Sequence, residues 1–307
     1  MGNHFLKALA RSKENSVAEH KESSLSLTKV ILRVSEFISS IVISAKSQFR
    51  LVKDSSLLEP SYSRHKHQIF TIGRSPNLSQ FYSMIEAIIF DLDGTLVDSV
   101  GYHTKAWVKA FQQYGYDFPF EKLRQQIGKD SEFIIKDLIP TAEAEKLQSD
   151  LTDYHDRYYQ DNFLERVKPF PQVKELFAAI KADEIEIVLA SSAKMEMVEH
   201  YKKLLDIADL VDGSTSTDDV DKSKPEPKIF QSALDKLGNV AAHKAIVVGD
   251  SPYDAIAAGK IGLRTICLLC GGFERETLTL ANCVGIYQDP ADLLANYPKF
   301  LNIDEIG

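Results

Sequence analysis

A chain of 307 residues is long enough to bury a full core and to hold two domains, or one domain carrying an insertion. Its hydrophobic fraction of 44% and charged fraction of 26% are those of a globular protein. A formal net charge of −8 argues against a general nucleic-acid binder, and no apolar run approaches the roughly 18 residues of a stable membrane insertion.

The charge is unevenly spread. Residues 1–83 carry 12 Lys+Arg against 6 Asp+Glu, whereas 84–307 carry 24 against 38. Such asymmetry marks a separate tail or module, with the break near Met84. Within residues 1–83, Val30, Ile31, Val34, Phe37, Ile38 and Ile41 follow the spacing of one apolar helix face, and the flanking segments read as solvated, disordered chain. A basic amphipathic helix there could lie on a membrane or direct targeting. Glu14, Glu19, Glu22 and Glu36 do not suit a transit peptide, so the simpler reading is a disordered or partly helical extension, or translation starting at Met84.

From Met84 onward, strands alternate with helices. The β-branched apolar runs "AIIFDLD", "EIEIVLASS", "KAIVVGDS" and "RTICLLC" are separated by "VKELFAAIKA", "KIFQSALDKLG" and "DAIAAGKIG", which have helical spacing. This order predicts an α/β, Rossmann-like, doubly wound parallel sheet with its ligand beyond the carboxyl ends of the strands. One interval breaks the alternation. Between "DGTLVDS" and "PFPQVKELFAAI", four helical segments follow one another, punctuated by Gly115, Pro119, Gly128 and Pro140. They predict an inserted helical cap over 100–168, with the core formed by 84–99 and 169–307. Three cysteines are too few for a disulfide framework, which makes a reducing, cytoplasmic setting the expectation. Cys267 and Cys270 form a C-x-x-C without a second ligand pair, so strand-end packing is expected of them rather than zinc.

The predicted strand ends gather polar residues: Asp91 and Asp93, then Ser191 with Ser192, then Asp250 and Asp254, with Lys224 on the loop "KSKPEPKIF". Aspartates around one point repel one another unless a cation sits among them, and hard oxygen ligands suit Mg²⁺. A cation, a lysine and a hydroxyl beside a carboxylate make a site for a phosphoryl group. Singly, the serine reads as a turn residue, Asp254 as a helix cap and Lys224 as a surface lysine; their joint order makes the site.

The runs "FDLDGTLVDS", "LASSA", "KPEPKIF" and "GDSPYDAIAA", in that order, resemble the haloacid dehalogenase-like hydrolase superfamily over residues 84–307. The helical insert resembles the β-phosphoglucomutase and phosphoglycolate phosphatase branch. The resemblance implies Mg²⁺ dependence and an aspartyl-phosphate intermediate. It makes Asp91 the nucleophile and Asp93 the general acid and then base. Ser191 and Lys224 would bind phosphoryl oxygens. Asp250 would ligate Mg²⁺ with Asp91 and the main-chain carbonyl of Asp93, and Asp254 would ligate through water or orient Lys224.

The implied ligand is a small phosphorylated metabolite, a sugar phosphate or a phosphoglycolate-like ester. His103 and Trp107 lie one turn apart on the first cap helix and face either the substrate or the packing between cap and core. Gly128 and Lys129 resemble the family's substrate-facing cap turn, where Lys129 could grip an anionic group. Mutases of this branch tend to carry an arginine where Ser131 stands, and often Val or Ile in place of Thr95. Both departures favour a phosphatase over the alternative, a sugar-phosphate mutase. The intact acidic and basic residues also weigh against a non-catalytic binding protein.

Overall fold

In the computed structural model the described residues are 85–297 and Leu301. The expectations for residues 1–83 lie outside them. Six strands form one parallel sheet: β1 (Ala87–Phe90), β2 (Glu186–Ala190), β3 (Gly213–Thr215), β4 (Ala245–Gly249), β5 (Arg264–Leu268) and β6 (Gly285–Tyr287), in the order β3-β2-β1-β4-β5-β6. The chain winds outward from β1 through β2 to β3, then returns to lay β4 on the opposite side of β1. Order therefore reverses between β1 and β4, and a crevice opens at the carboxyl ends there.

All four residues of β1 are fully buried because both faces of the sheet are covered. Ile88 and Phe90 point into one cluster with Ile187, Leu189, Ile246 and Val248. Helices α5 (Val173–Ala182), α6 (Met195–Leu204) and α10 (Pro290–Ala295) close this face through Leu176, Phe177, Val198 and Leu293. Ala87 and Ile89 point the other way, against Ile229 and Phe230 of α7 (Lys228–Lys236) and Ala257 and Ala258 of α8 (Pro252–Gly259). Helix α9 (Arg275–Leu280) joins β5 to β6.

Between β1 and α5 stand the four inserted helices: α1 (Val100–Gln113), α2 (Phe120–Arg124), α3 (Ser131–Leu138) and α4 (Thr141–Asn162). They have their own apolar cluster, with Phe111, Leu123, Ile135 and Leu151 at its centre. Their turn seats on the sheet domain through hydrogen bonds. The Asp130 N–H donates to the Lys224 carbonyl at 2.8 Å, the Tyr253 hydroxyl to the Gln125 carbonyl at 2.6 Å, and Arg124 Nη1 to the Gly272 carbonyl at 2.8 Å.

The cysteines differ from expectation. Cys267, buried at the end of β5, is joined to Cys283 in a disulfide, with Cα atoms 6.0 Å apart. The expectation of three reduced thiols missed this pair because the partners are brought together only by the β5-to-β6 crossover. Cys270 is free, and its thiol donates to the Gly94 carbonyl at 3.2 Å. No helix among the described residues is long and apolar enough to cross a membrane.

Candidate active site

The turn after β1 carries the first two carboxylates. Gly94 takes φ +84°, and a side chain there would run into the Asp250 carboxylate, 2.4 Å from the position of its Cβ. This close approach explains why glycine follows the two aspartates. Thr95, the next residue, is fully buried and donates towards Asp91 Oδ2 at 3.3 Å and Asp250 Oδ1 at 3.4 Å. It ties the ends of β1 and β4 together.

Lys224 reaches in from the loop before α7. Its ammonium, only 1% exposed as a residue, lies 2.5 Å from Asp91 Oδ1 and 3.0 Å from Asp254 Oδ1. Burial works against its charge, but Asp254 and Asp91 more than offset that cost and raise its pKa. Asp254 spends its other oxygen on Ser251, accepting from the hydroxyl at 2.7 Å and the backbone N–H at 3.0 Å, a capping box at the start of α8. Both Asp254 oxygens are thereby committed, and its side chain orients Lys224.

Three carboxylates, Asp91, Asp250 and Asp254, present oxygens within 4.8 Å of one another, all buried. One ammonium faces them. Burial pushes the Asp91 carboxyl up to about 7 despite Lys224, and burial with the neighbouring Asp254 and Asp91 charges pushes Asp250 well above its ordinary range. The cluster is short of positive charge. A hard divalent cation meets that deficit, and an all-oxygen donor set fits one.

Asp93 has a different environment. Burial would raise its pKa, yet His103, Ser99 and Lys224 together hold it below the usual carboxylate value. The Ser99 hydroxyl donates to Asp93 Oδ1 at 2.6 Å, and His103 Nε2 lies 3.1 Å from the same oxygen. A chain of contacts continues into the cap. His103 Nδ1 is 3.3 Å from His155 Nε2, His155 Nδ1 is 3.0 Å from Asp156 Oδ1, and Asp156 Oδ2 pairs with Lys194 at 2.9 Å. With Asp156 ionised its oxygens only accept, so His155 carries its proton on Nδ1; burial keeps this ring neutral, and Nε2 accepts from His103 Nδ1–H.

Ser191 stands buried just past β2, with its Oγ accepting the Ala193 N–H at 3.1 Å, while the neighbouring Ser192 lines the cavity. That cavity, about 280 Å³, lies between the strand ends and the inserted helices and brings together Asp91, Asp93, Lys224, His103 and the Gly128-Lys129 turn. Its size is at the small end for ligand sites. Trp107 borders it too, but is 3% exposed and belongs to the apolar cluster of the inserted helices, with its ring 4.3 Å from that of His155. Gly128, at φ +104°, has its Cβ position 2.7 Å from Ser251 Oγ, so only glycine lets this turn sit against α8. Lys129 turns its ammonium to Gln126 at 2.7 Å and Asp137 at 2.5 Å, above the Tyr253 ring.

Sequence reasoning did not single out Ser99, His155 or Asp156 as site residues, nor Thr95 as the clamp between two aspartates. Thr95 and Ser99 stand inside the quoted "DGTLVDS". His155 and Asp156 had a weaker signal: Thr152, His155, Asp156, Tyr159 and Gln160 recur at i, i+3, i+4, i+7 and i+8, a largely polar stripe on one face of α4 that borders the cavity.

Residues 88–268, more than half of the chain, match the family model described as haloacid dehalogenase-like hydrolase. A phosphoglycolate phosphatase of Yersinia pseudotuberculosis is 30% identical over 217 residues, covering 69% of this chain and 93% of that protein. A phosphorylated carbohydrates phosphatase of Thermotoga maritima is 28% identical over 185 residues, covering 59% of this chain and 84% of that one. Among solved structures, a hydrolase from Pseudomonas syringae superposes with a TM-score of 0.63 at 27% identity, over 69% of this chain and 98% of its own.

Proposed function

The chain belongs to the haloacid dehalogenase-like hydrolases, and from that premise we propose that it is a Mg²⁺-dependent phosphatase of small phosphorylated metabolites. The observation that carries this reading is the Asp91–Lys224–Asp254 arrangement beside Asp250, with Asp93 placed separately against Ser99 and His103. Asp91 attacks phosphorus, the bond from phosphorus to the leaving oxygen breaks, and Asp93, which takes up a proton when the negatively charged phosphoryl group binds beside it, delivers that proton to the leaving oxygen. Asp93 then takes a proton from water, which attacks the aspartyl phosphate and releases inorganic phosphate. Lys224, and Ser191 at the end of β2, bind the phosphoryl oxygens. Asp91, Asp250 and the Asp93 carbonyl would hold the cation, which when bound neutralises charge on those oxygens. The inserted helices exclude bulk water from the cavity.

The mutase reading gains no support from the cap turn, where Ser131 takes the arginine's place. The cytoplasmic setting expected from the sequence stays part of the proposal, and the Cys267–Cys283 bridge is the feature that weighs against it.

Assaying the purified chain for phosphate release from p-nitrophenyl phosphate and phosphorylated metabolites, with Mg²⁺ and with EDTA, tests the proposal. Metal-dependent release is expected; interconversion of sugar phosphates without release would replace the phosphatase by the mutase. A second expectation concerns pH. Asp91 and Asp250 have folded-state pKa values above their unfolded ones, so the metal-free fold binds extra protons and loses stability as pH rises from about 4 through about 7. A cation displaces those protons. The rise in Tm on adding Mg²⁺ should therefore be larger at pH 8 than at pH 5.5, as measured by thermal melts. Comparing melts with and without metal at each pH cancels the opposing contribution of His155, whose lowered pKa favours the fold at higher pH.

A further inference from the structure

The cations of the cavity wall are already committed. Among the described residues, Lys129, Lys194 and Lys224 are the lysines bordering the cavity, which has no arginine, and its two histidines, His103 and His155, lie against Asp93 and Asp156. Lys224 belongs to the phosphoryl end. Lys129 is engaged by Asp137 and Gln126, and Lys194 by Asp156. Glu196, also at the border, forms no ion pair among the described residues. A carboxylate or second phosphate entering beyond the phosphoryl end would meet no unpaired cation. It would compete with Asp137 or Asp156 for an ammonium that is already paired, which weakens its hold.

What the wall does offer is neutral. Thr152 Oγ1 on α4 is buried without a hydrogen-bond partner in a residue that borders the cavity, and Gln160 lies two turns along the same stripe. A buried hydroxyl left unpaired is costly, and a ligand hydroxyl would satisfy it.

From these pairings we infer that the leaving group is uncharged and hydroxylated: the substrates are phosphomonoesters of sugars or polyols, not of hydroxy acids and not pyrophosphate. The inference rests on the phosphatase reading above. Within this chain it turns on one ion pair, Asp156 with Lys194, which spans from the inserted helices to the core.

Substituting Asp156 tests it directly. Asp156→Asn keeps an amide oxygen to accept from His155 Nδ1 while removing the charge that holds Lys194. The experiment measures kcat/KM of the full chain with Mg²⁺ on glucose 6-phosphate, glycerol 3-phosphate, 2-phosphoglycolate and p-nitrophenyl phosphate. The wild type should prefer the two neutral-alcohol esters to 2-phosphoglycolate by at least about 10-fold. Asp156→Asn should raise 2-phosphoglycolate relative to p-nitrophenyl phosphate by about 10-fold or more, the factor of one charge-assisted hydrogen bond. Thr152→Val, of similar shape, should lower the hydroxylated esters about 2- to 10-fold and spare p-nitrophenyl phosphate. A wild type that cleaves 2-phosphoglycolate as well as the neutral esters overturns the inference, as does a selectivity ratio unmoved in both variants. Hydrolysis of p-nitrophenyl phosphate that depends on Asp91 stands apart from these ratios: if it is present, only the substrate class has failed, and if it is absent, the phosphatase reading and this inference fall together.

Discussion

Asp91→Asn should lower phosphatase turnover by roughly 10⁴-fold or more while leaving the fold intact. The substitution keeps the size of the side chain and an oxygen for the Lys224 ammonium, but removes the nucleophile. Stability should change little, because Asp91 is a buried carboxylate whose pKa is pushed up by burial and by Asp254, and Lys224 keeps its second partner. In metal-free protein the neutral amide relieves repulsion, so Tm is expected to stay within a few degrees of wild type or to rise. Thermal melts and phosphate-release assays on one preparation check both halves. Lost activity with a collapsed Tm would assign Asp91 a structural task instead.

The second large effect is expected at Lys224. Lys224→Met keeps a long side chain and removes the one ammonium between Asp91 and Asp254. Breaking a buried pair by deleting one partner costs about 3–5 kcal/mol, since the remaining charge is uncompensated. For a domain of this size that corresponds to a fall in Tm of about 10 °C. The loss should be greater at pH 8 than at pH 5.5, because carboxylates that hold protons at the lower pH need no counter-charge. Added Mg²⁺ should recover part of the stability but not the activity, as the phosphoryl group loses a donor the cation does not replace. A melt insensitive to Lys224→Met at pH 8 would show that the aspartates are compensated elsewhere.

Asp91, Ser191 and Asp250 were legible because each follows a strand with a strong apolar signature, and Lys224 because its loop comes between them in order. Phe90, Ala190 and Gly249 are last in β1, β2 and β4, and the polar residue after each is fixed by the sheet's parallel register. The two strands that escaped notice, Gly213–Thr215 and Gly285–Tyr287, are three-residue edge strands, too short to build a run of β-branched residues. The four inserted helices were readable from period and turn residues. What their faces meet was not. Trp107 reads equally well as substrate-facing or packed, and only the fold of α1 against α4 puts it in the apolar cluster. Lys129 reads as a free cation because its partner Asp137 lies eight residues on, brought back by the turn into α3. The His103–His155 contact spans 52 residues of sequence, so no local pattern reports it.

The covalent route through Asp91 is tested most directly by trapping the phosphoenzyme. Asp93→Asn leaves the nucleophile in place but removes the group that activates water, and p-nitrophenyl phosphate needs no proton to lose its leaving group. Mixing this variant with p-nitrophenyl phosphate and Mg²⁺, quenching in acid and mapping the peptides by mass spectrometry should find one phosphoryl group on Asp91, absent from the Asp91→Asn/Asp93→Asn double variant. A burst of p-nitrophenol with no phosphorylated Asp91, or with the phosphoryl group on another residue, would contradict the account.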